Sequence, residues 1–304
     1  MWSNMDRGKK NPTIKTVISA SRRTDIPAFY MDWFMQGIQK GFFEVENPYN
    51  HKTFFVPAST ADVHTIVFWS KNFDPFIKGD YGRQLQAHGY HLFFNFSINS
   101  ESALLEPGLP RLEERLAQLE YLCNHYDPRT INWRFDPVCF YETETHEIQD
   151  NLKDFSMIAG KAAAMGVKRC ITSFMDMYPK IKKRLASHPE LDFVDVPMKK
   201  KINVLEDMSR ILEHLGISLQ TCCERDLLEQ VADDLPIDKS ACIPNDLIMK
   251  LFGGRVSLGK DSGQRVRAGC GCMKSMDIGS YSRQPCYHNC LYCYANPTIA
   301  LSQN

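Results

Sequence analysis

Residues 63–98, "VHTIVFWSKNFDPFIKGDYGRQLQAHGYHLFFNFSI", contain the unit whose repetition sets the fold. "VHTIVFWS" (63–70) is a short apolar run of strand type. "DPFIKGDYGRQLQAHG" follows as a helix-like segment ending in glycine, and "YHLFFNFSI" (90–98) returns as a second strand. The same alternation extends in both directions. Upstream, "TIKTVISAS" (13–21) leads into "PAFYMDWFMQGIQKG", closed by Gly41. Downstream, "PRLEERLAQLEYLCNHY" precedes "RTINWRF" (129–135), and the helical segment 145–165 precedes "VKRCITSF" (167–174). Segment 196–215, ended by Gly216, precedes "ISLQTCC" (217–223) and "RDLLEQVADDL". Six strand–helix units in a row predict an α/β fold with a parallel sheet, either doubly wound or closed as a barrel. The first strand is not followed by G-x-G-x-x-G, so a dinucleotide-binding reading lacks its fingerprint.

The bulk numbers suit one large domain or two small ones. The chain has 304 residues, 43% of them hydrophobic and 24% charged, as in soluble globular proteins. Thirty-six basic residues balance thirty-six acidic ones, which argues against a bulk electrostatic grip on nucleic acid. The first residues, "MWSNMDRGKKNPTIKTVISASRR", lack a signal peptide's apolar core, and no run approaches a membrane span. A cytoplasmic protein with no membrane or nucleic-acid partner is expected.

The strand ends are polar. They carry Arg22, Arg23 and Asp25 after the first strand, Lys71 after the second and Asn95 in the third. Arg134 and Asp136 end the fourth, Ser173 and Asp176 the fifth, and Glu224 follows the sixth. In a β/α barrel these ends open on one face, the face that binds ligands. The arginines and Lys71 suit a carboxylate or phosphate, and the acids suit ribose hydroxyls or an amine. Structural ion pairs around the rim are the bland alternative for Arg23–Asp25 or Arg134–Asp136 taken singly.

Eleven cysteines are many for a chain in a reducing compartment, and they point to metal or redox chemistry. Eight fall between 222 and 293, whereas Cys123 lies in a helical pattern and reads as core. Cys286, Cys290 and Cys293 have the spacing C-x3-C-x2-C in "CYHNCLYCYANP" (286–297). Three thiolates can hold three irons of a [4Fe–4S] cube and leave the fourth open. Tyr292 beside the last cysteine supplies an aromatic face for a cofactor. Zinc competes, with Cys290 and Cys293 as one knuckle completed by Cys270 and Cys272 or by His288. Cys222, Cys242, Cys270 and Cys272, with Cys223 able to replace Cys222, suffice for a second cluster or a zinc site. The charge run "MKKKINVLED" (198–207) reads as a solvated helix face.

The three-cysteine loop with its aromatic resembles the signature of radical S-adenosylmethionine enzymes, and "CLYCYANP" is similar to the cluster loop of the spore photoproduct lyase-like branch. The whole chain resembles the family catalogued as domain of unknown function 1848, noted for a C-terminal cysteine cluster of that kind. The resemblance rests on "SASRRTDIPAFY", "NPYN", "IVFWSKN", "WRFDPV", "CGCMKSMDIGSY" and "CYHNCLYCYANP". It implies a partial (β/α)6 TIM-type barrel over 1–235. Residues 236–304 would be a cysteine-rich iron–sulfur segment packed on its open face within one integrated domain. It also implies that Cys286, Cys290 and Cys293 bind a [4Fe–4S] cluster whose open iron takes S-adenosylmethionine and yields a 5′-deoxyadenosyl radical. The electron would come from a donor such as ferredoxin or flavodoxin, and the small-molecule substrate is open. Radical enzymes of this kind usually carry the loop after the first strand; here it follows the last unit, as circular permutation would place it. Two other readings stand beside this one. One is an iron–sulfur electron-transfer protein; the other is a zinc-stapled barrel that binds a small anionic ligand or a partner protein.

Overall fold

A computed structural model describes residues 13–48, 50–144, 146–231, 235–263 and 268–295. The N-terminal stretch read above for targeting lies mostly outside these, as do Asn296 and Pro297 of the cysteine motif. The main sheet has eight strands: β1 (Thr16–Ala20), β2 (Val63–Ser70), β3 (His91–Ser97), β4 (Ile131–Val138), β5 (Arg169–Phe174), β6 (Ser218–Thr221), β7 (Ile237–Lys239) and β8 (Met276–Asp277). Their order is β7-β6-β5-β4-β3-β2-β1-β8, and every pairing is parallel.

From β1 to β7 each strand lies beside its predecessor, so the crossovers all turn the same way and their helices share one face. Those helices include α1 (Met31–Lys40), α2 (Leu112–His125), α3 (Phe155–Ala164) and α4 (Met198–His214). In α1, Met31, Phe34 and Ile38 recur at helical spacing and are buried; in α2, Leu112, Leu116, Leu119 and Leu122 do the same. They pack on Ile18, Phe68, Phe94, Trp133, Phe135 and Leu219, which alternation sends to that side of the sheet. Each such side chain contributes roughly 1.5–3 kcal/mol by leaving water, so Phe94→Ala, in the middle of the sheet, would cost about 3–5 kcal/mol.

The opposite face holds Val17, Val67, Phe93 and Ile171, and it is covered by the chain's own late segment. Helix α5 (Asn245–Phe252) sets Ile248 against Val17, Val67 and Phe93. Further along the same face, Ile171 packs with Cys242, Cys270 and Cys272.

Two expectations change here. Eight strands, not six, make the sheet, because β7 and β8 have only three and two residues and are too short for an apolar run to reveal. The last strand joins the free edge of β1 rather than that of β7, so the sheet is not a closed barrel. The boundary expected at 235/236 therefore falls between two strands of one sheet. The six longer strands lie where their apolar runs predicted, and "MKKKINVLED" begins on an exposed turn of α4. A hairpin (Phe42–Glu46 with Thr53–Pro57) and a small three-stranded antiparallel sheet are additions that the alternation did not suggest. Among the described residues, no helix is long and apolar enough to cross a membrane.

Candidate metal and cofactor site

The carboxyl ends of the strands share one edge of the sheet, and the segment Cys286–Ala295 is anchored to it at several points. His288 Nε2 lies 2.8 Å from Asp25 Oδ2, just past β1. Leu291 N donates to Leu105 O at 2.9 Å, and Gly108 N to His288 O at 3.0 Å, both beyond β3. Gly108 has to be glycine, since a Cβ there would sit 2.5 Å from the Tyr287 carbonyl. The strongest anchor is Arg184. Its buried guanidinium donates to the carbonyls of Cys290 (3.2 Å), Leu291 (2.6 Å), Cys293 (3.0 Å) and Ala295 (3.5 Å). One cation thus gathers the turn that carries two of the three thiols.

Cys290 is buried and Cys286 and Cys293 are half-buried. Burial pushes the Cys286 thiol up to about 12, helped by the charge of Asp25. It raises Cys290 and Cys293 as well, against the pull of Lys71 and, for Cys293, of Arg184. The charges of the three act on one another, which places them in one neighbourhood. Buried thiols of this kind ionise when a metal supplies the compensating charge. No group of three or more His, Cys, Asp or Glu among the described residues is already gathered about one point as a metal would gather it.

His288 is not available as a fourth ligand in this arrangement. One ring nitrogen faces Asp25, and the other faces Gly108 O at 3.4 Å. Cys270 and Cys272, the other completion for a zinc knuckle, belong to a different group described below. Among the described residues, the loop therefore offers three sulfurs and no free histidine beside them. That donor set fits an iron–sulfur cube with one open iron better than a closed zinc tetrahedron.

Under the loop lies a buried ionic network. Tyr292, only 6% exposed, donates its hydroxyl to Glu106. Lys71 Nζ donates to Glu106 Oε1 at 2.7 Å and sits 5.4 Å from the Tyr292 ring centre. Arg115 Nη1 lies 3.5 Å from the other Glu106 oxygen, and Asn99 Nδ2 is 3.1 Å from the Tyr292 hydroxyl. Burial alone would raise the Glu106 carboxyl, but Lys71 and Arg115 outweigh it and hold it below the usual carboxylate range. Tyr292 is thus an anchor facing inward. The exposed aromatics of the loop are Tyr287 and Tyr294, at 48% and 46%.

The remaining strand-end residues lie along the same edge, each engaged by the protein. Asp25 accepts from Ala28 N, Ser70 Oγ and Lys71 N as well as facing His288, so it caps a helix and ties β1 to β2. Arg134 pairs with Asp136, which also accepts from Ser173 Oγ. Asn95 bridges Cys242 O and Asn132, and Glu224 accepts from Phe174 N at 2.8 Å. Arg23 donates to Gly279 O at 2.9 Å, and Arg22 lies 3.6 Å from Asp261.

The second cysteine set is assembled from three segments. Cys222 follows β6 on the inner face, and Cys223 turns away through a left-handed backbone (φ 65°), so their sulfurs stand 3.7 Å apart. Cys242 Sγ lies 4.0 Å from Cys222 Sγ. Cys270 and Cys272 pack against Cys242, with Cys222 and Cys223 beside them, so five thiols share one cluster. The neighbouring thiols, with Arg22 assisting, hold the Cys272 thiol below its ordinary value against burial. Arg134 donates to Cys242 Sγ. Arg134 and Arg22 both lie over Trp69, at 5.1 and 5.3 Å from its ring centre.

Sequence reading missed Arg184, Glu106, Arg115 and Trp69 as site residues. Arg115 and Gln118 carried the one available signal: both fall on the apolar stripe of α2, where a polar side chain must reach a partner. Arg184 sits at the end of a run of lysines and reads as solvent-facing.

A family model described as Domain of unknown function (DUF1848) matches residues 17–295. A search of the curated proteins finds no match.

Proposed function

The chain belongs to the DUF1848 family, and we propose that it is a radical S-adenosylmethionine-type iron–sulfur enzyme. Its scaffold would be a β/α barrel left open between β7 and β8, with the late segment filling the inner face. The observation that carries this reading is the three-thiol loop with His288 already engaged, held over the polar edge of a parallel sheet. Cys286, Cys290 and Cys293 would hold a [4Fe–4S] cluster, which with one electron from a donor would supply reductive cleavage of S-adenosylmethionine to methionine and a 5′-deoxyadenosyl radical.

The protein's own part is to hold, neutralise and shield. Arg184 fixes the turn carrying Cys290 and Cys293, so the sulfurs keep one arrangement. Lys71 and Arg184 lie close enough to offset negative charge on the thiolates. Glu106 braces Lys71 and keeps its ammonium charged beneath the loop, and the Tyr292 ring lies against it. Arg23, Asp136, Ser173 and Glu224 are the polar groups of this edge that would meet the cofactor's carboxylate, amine and ribose, whereas Arg22 and Arg134 face the seam cysteines. An external donor of the ferredoxin or flavodoxin type would deliver the electron.

The test is anaerobic reconstitution with iron and sulfide, followed by electron paramagnetic resonance of the reduced protein with and without S-adenosylmethionine. About four irons per chain, and a spectrum that changes when the cofactor is added, are expected. The same iron content with a spectrum indifferent to the cofactor would mean an electron carrier and would overturn the reading.

A further inference from the structure

We propose that Cys222, Cys242, Cys270 and Cys272 form a second metal site that takes one Zn²⁺ and staples the late segment into the inner face of the sheet. This goes beyond the radical reading and does not depend on it. The seam between the sheet's two free edges is where the fold most needs a tie. Ala268 O accepts from Arg225 N beside β6, Met273 N donates to Ile243 O, and Ile278 N donates to Ser19 O beside β1. The C-G-C segment thus runs from one side of the opening towards the other. Gly271 sits between its cysteines because a Cβ there would lie 2.3 Å from Ser240 O. That close approach beside β7 brings Cys270 and Cys272 to Cys242 on one side and to the end of β6 on the other.

Separation selects the metal. Four thiolates on one zinc at about 2.3 Å, in tetrahedral array, stand about 3.8 Å from one another. Within the proposed set, Cys222 and Cys242 stand 4.0 Å apart, close to that value, and Cys270 and Cys272 pack beside them, so binding has to draw the four together only a short way. A four-iron cube keeps its thiolates farther apart, because each binds a different corner. Sulfur–sulfur hydrogen bonds join Cys222 to Cys223 and to Cys242 in the seam, whereas the thiols of the loop are joined by none. Zinc closes at four ligands, so one of the five stays out. Alternation of side chains along β6 turns Cys222 inward. Cys223 lies one residue beyond on strained left-handed backbone and is the thiol left over.

The surroundings match the charge of the product. Four thiolates on Zn²⁺ carry two negative charges, and binding releases the thiol protons. Arg134 donates to Cys242, and Arg22 lies beside Cys272. Arg22 Nη2 is buried with no hydrogen-bond partner. A thiolate held by zinc gives that N–H an acceptor, the kind of outer contact that tunes metal sites. Both guanidiniums also lie over Trp69, which holds them beside the seam cysteines.

The experiment is a metal assay of the full chain purified without added metal, then titration of the chelator-stripped protein with Co²⁺. About one zinc per chain is expected, and cobalt should give the intense visible bands of a tetrahedral thiolate site. Cys222→Ala, Cys242→Ala, Cys270→Ala and Cys272→Ala should each abolish those bands, whereas Cys223→Ala should keep them. Should the alanine variants fail to fold, the wild-type cobalt spectrum and the Cys223→Ala protein still decide the matter. To separate the two sites, the titration is repeated on Cys286→Ala/Cys290→Ala/Cys293→Ala, which should bind cobalt undiminished. Iron and sulfide held by the seam cysteines, disulfides among them, or five titratable thiols and no cobalt binding would each overturn the proposal.

Discussion

The two cysteine groups of this chain are built in opposite ways. Cys286, Cys290 and Cys293 come from one stretch of eight residues, shaped through its backbone: Arg184 holds four carbonyls, and the thiols have no sulfur partner. The seam group comes from three stretches, shaped through its side chains, with thiol bonded to thiol and an arginine at either side. A loop held by its backbone leaves its sulfurs without protein partners, which suits a cluster that must also meet a small molecule. A group of side chains packed on one another suits an ion that needs no access. One fold thus places two cysteine groups of opposite build along the same edge.

The difference can be broken most sharply by exchange of losses. Cys290→Ala should remove essentially all reconstituted iron and leave zinc unchanged. Cys272→Ala should do the reverse, and a metal assay of both variants reads each effect. If either substitution emptied both sites, they would be one. Next in size is Glu106→Gln. It leaves Lys71 and Arg115 buried beside a neutral amide, so chemical denaturation should show a loss of about 3–5 kcal/mol. Arg184→Ala removes charge-assisted bonds to the loop carbonyls and should cost about 1.5–3 kcal/mol. Cluster yield should fall with it while seam zinc holds, and Arg184→Lys should restore only part, because a point charge lacks the fork.

The smallest effect is one of pH. Glu106 has its carboxyl held below the ordinary 4.5 in the folded protein. Its stabilising contribution is therefore complete above pH 4.5 and is lost as pH falls through the lower folded value. Denaturation midpoints should drop in that acid range for the wild type and drop less steeply for Glu106→Gln. Equal slopes would mean that the carboxylate under the loop is not held by its cations.

Much of this architecture could be read from residue order. The six apolar runs each became a strand, because a parallel strand covered on both faces must be apolar along its length. β7 and β8 escaped notice, since two or three residues leave no period. The open edge escaped too, because nothing local in "KSMDIGSY" says which neighbour Met276 and Asp277 will choose. The cysteines were legible as residue types with known spacings, and the polar strand ends as exceptions to apolar runs. Their partners were not: Glu106 lies in a loop with no periodicity, and Arg184 looks like one more surface cation. Tyr292 shows the limit most clearly. A position beside a cysteine identifies a residue, but only the fold says whether its ring faces outward or, as here, in towards Lys71 and Glu106.

The most direct test of the central claim is to reduce the anaerobically reconstituted protein with dithionite in the presence of S-adenosylmethionine and to assay 5′-deoxyadenosine by chromatography. The expected result is its formation by the wild type and none by Cys290→Ala. A fully loaded protein that cleaves no S-adenosylmethionine under these conditions would contradict the claim that the three-thiol loop works as a radical-generating centre.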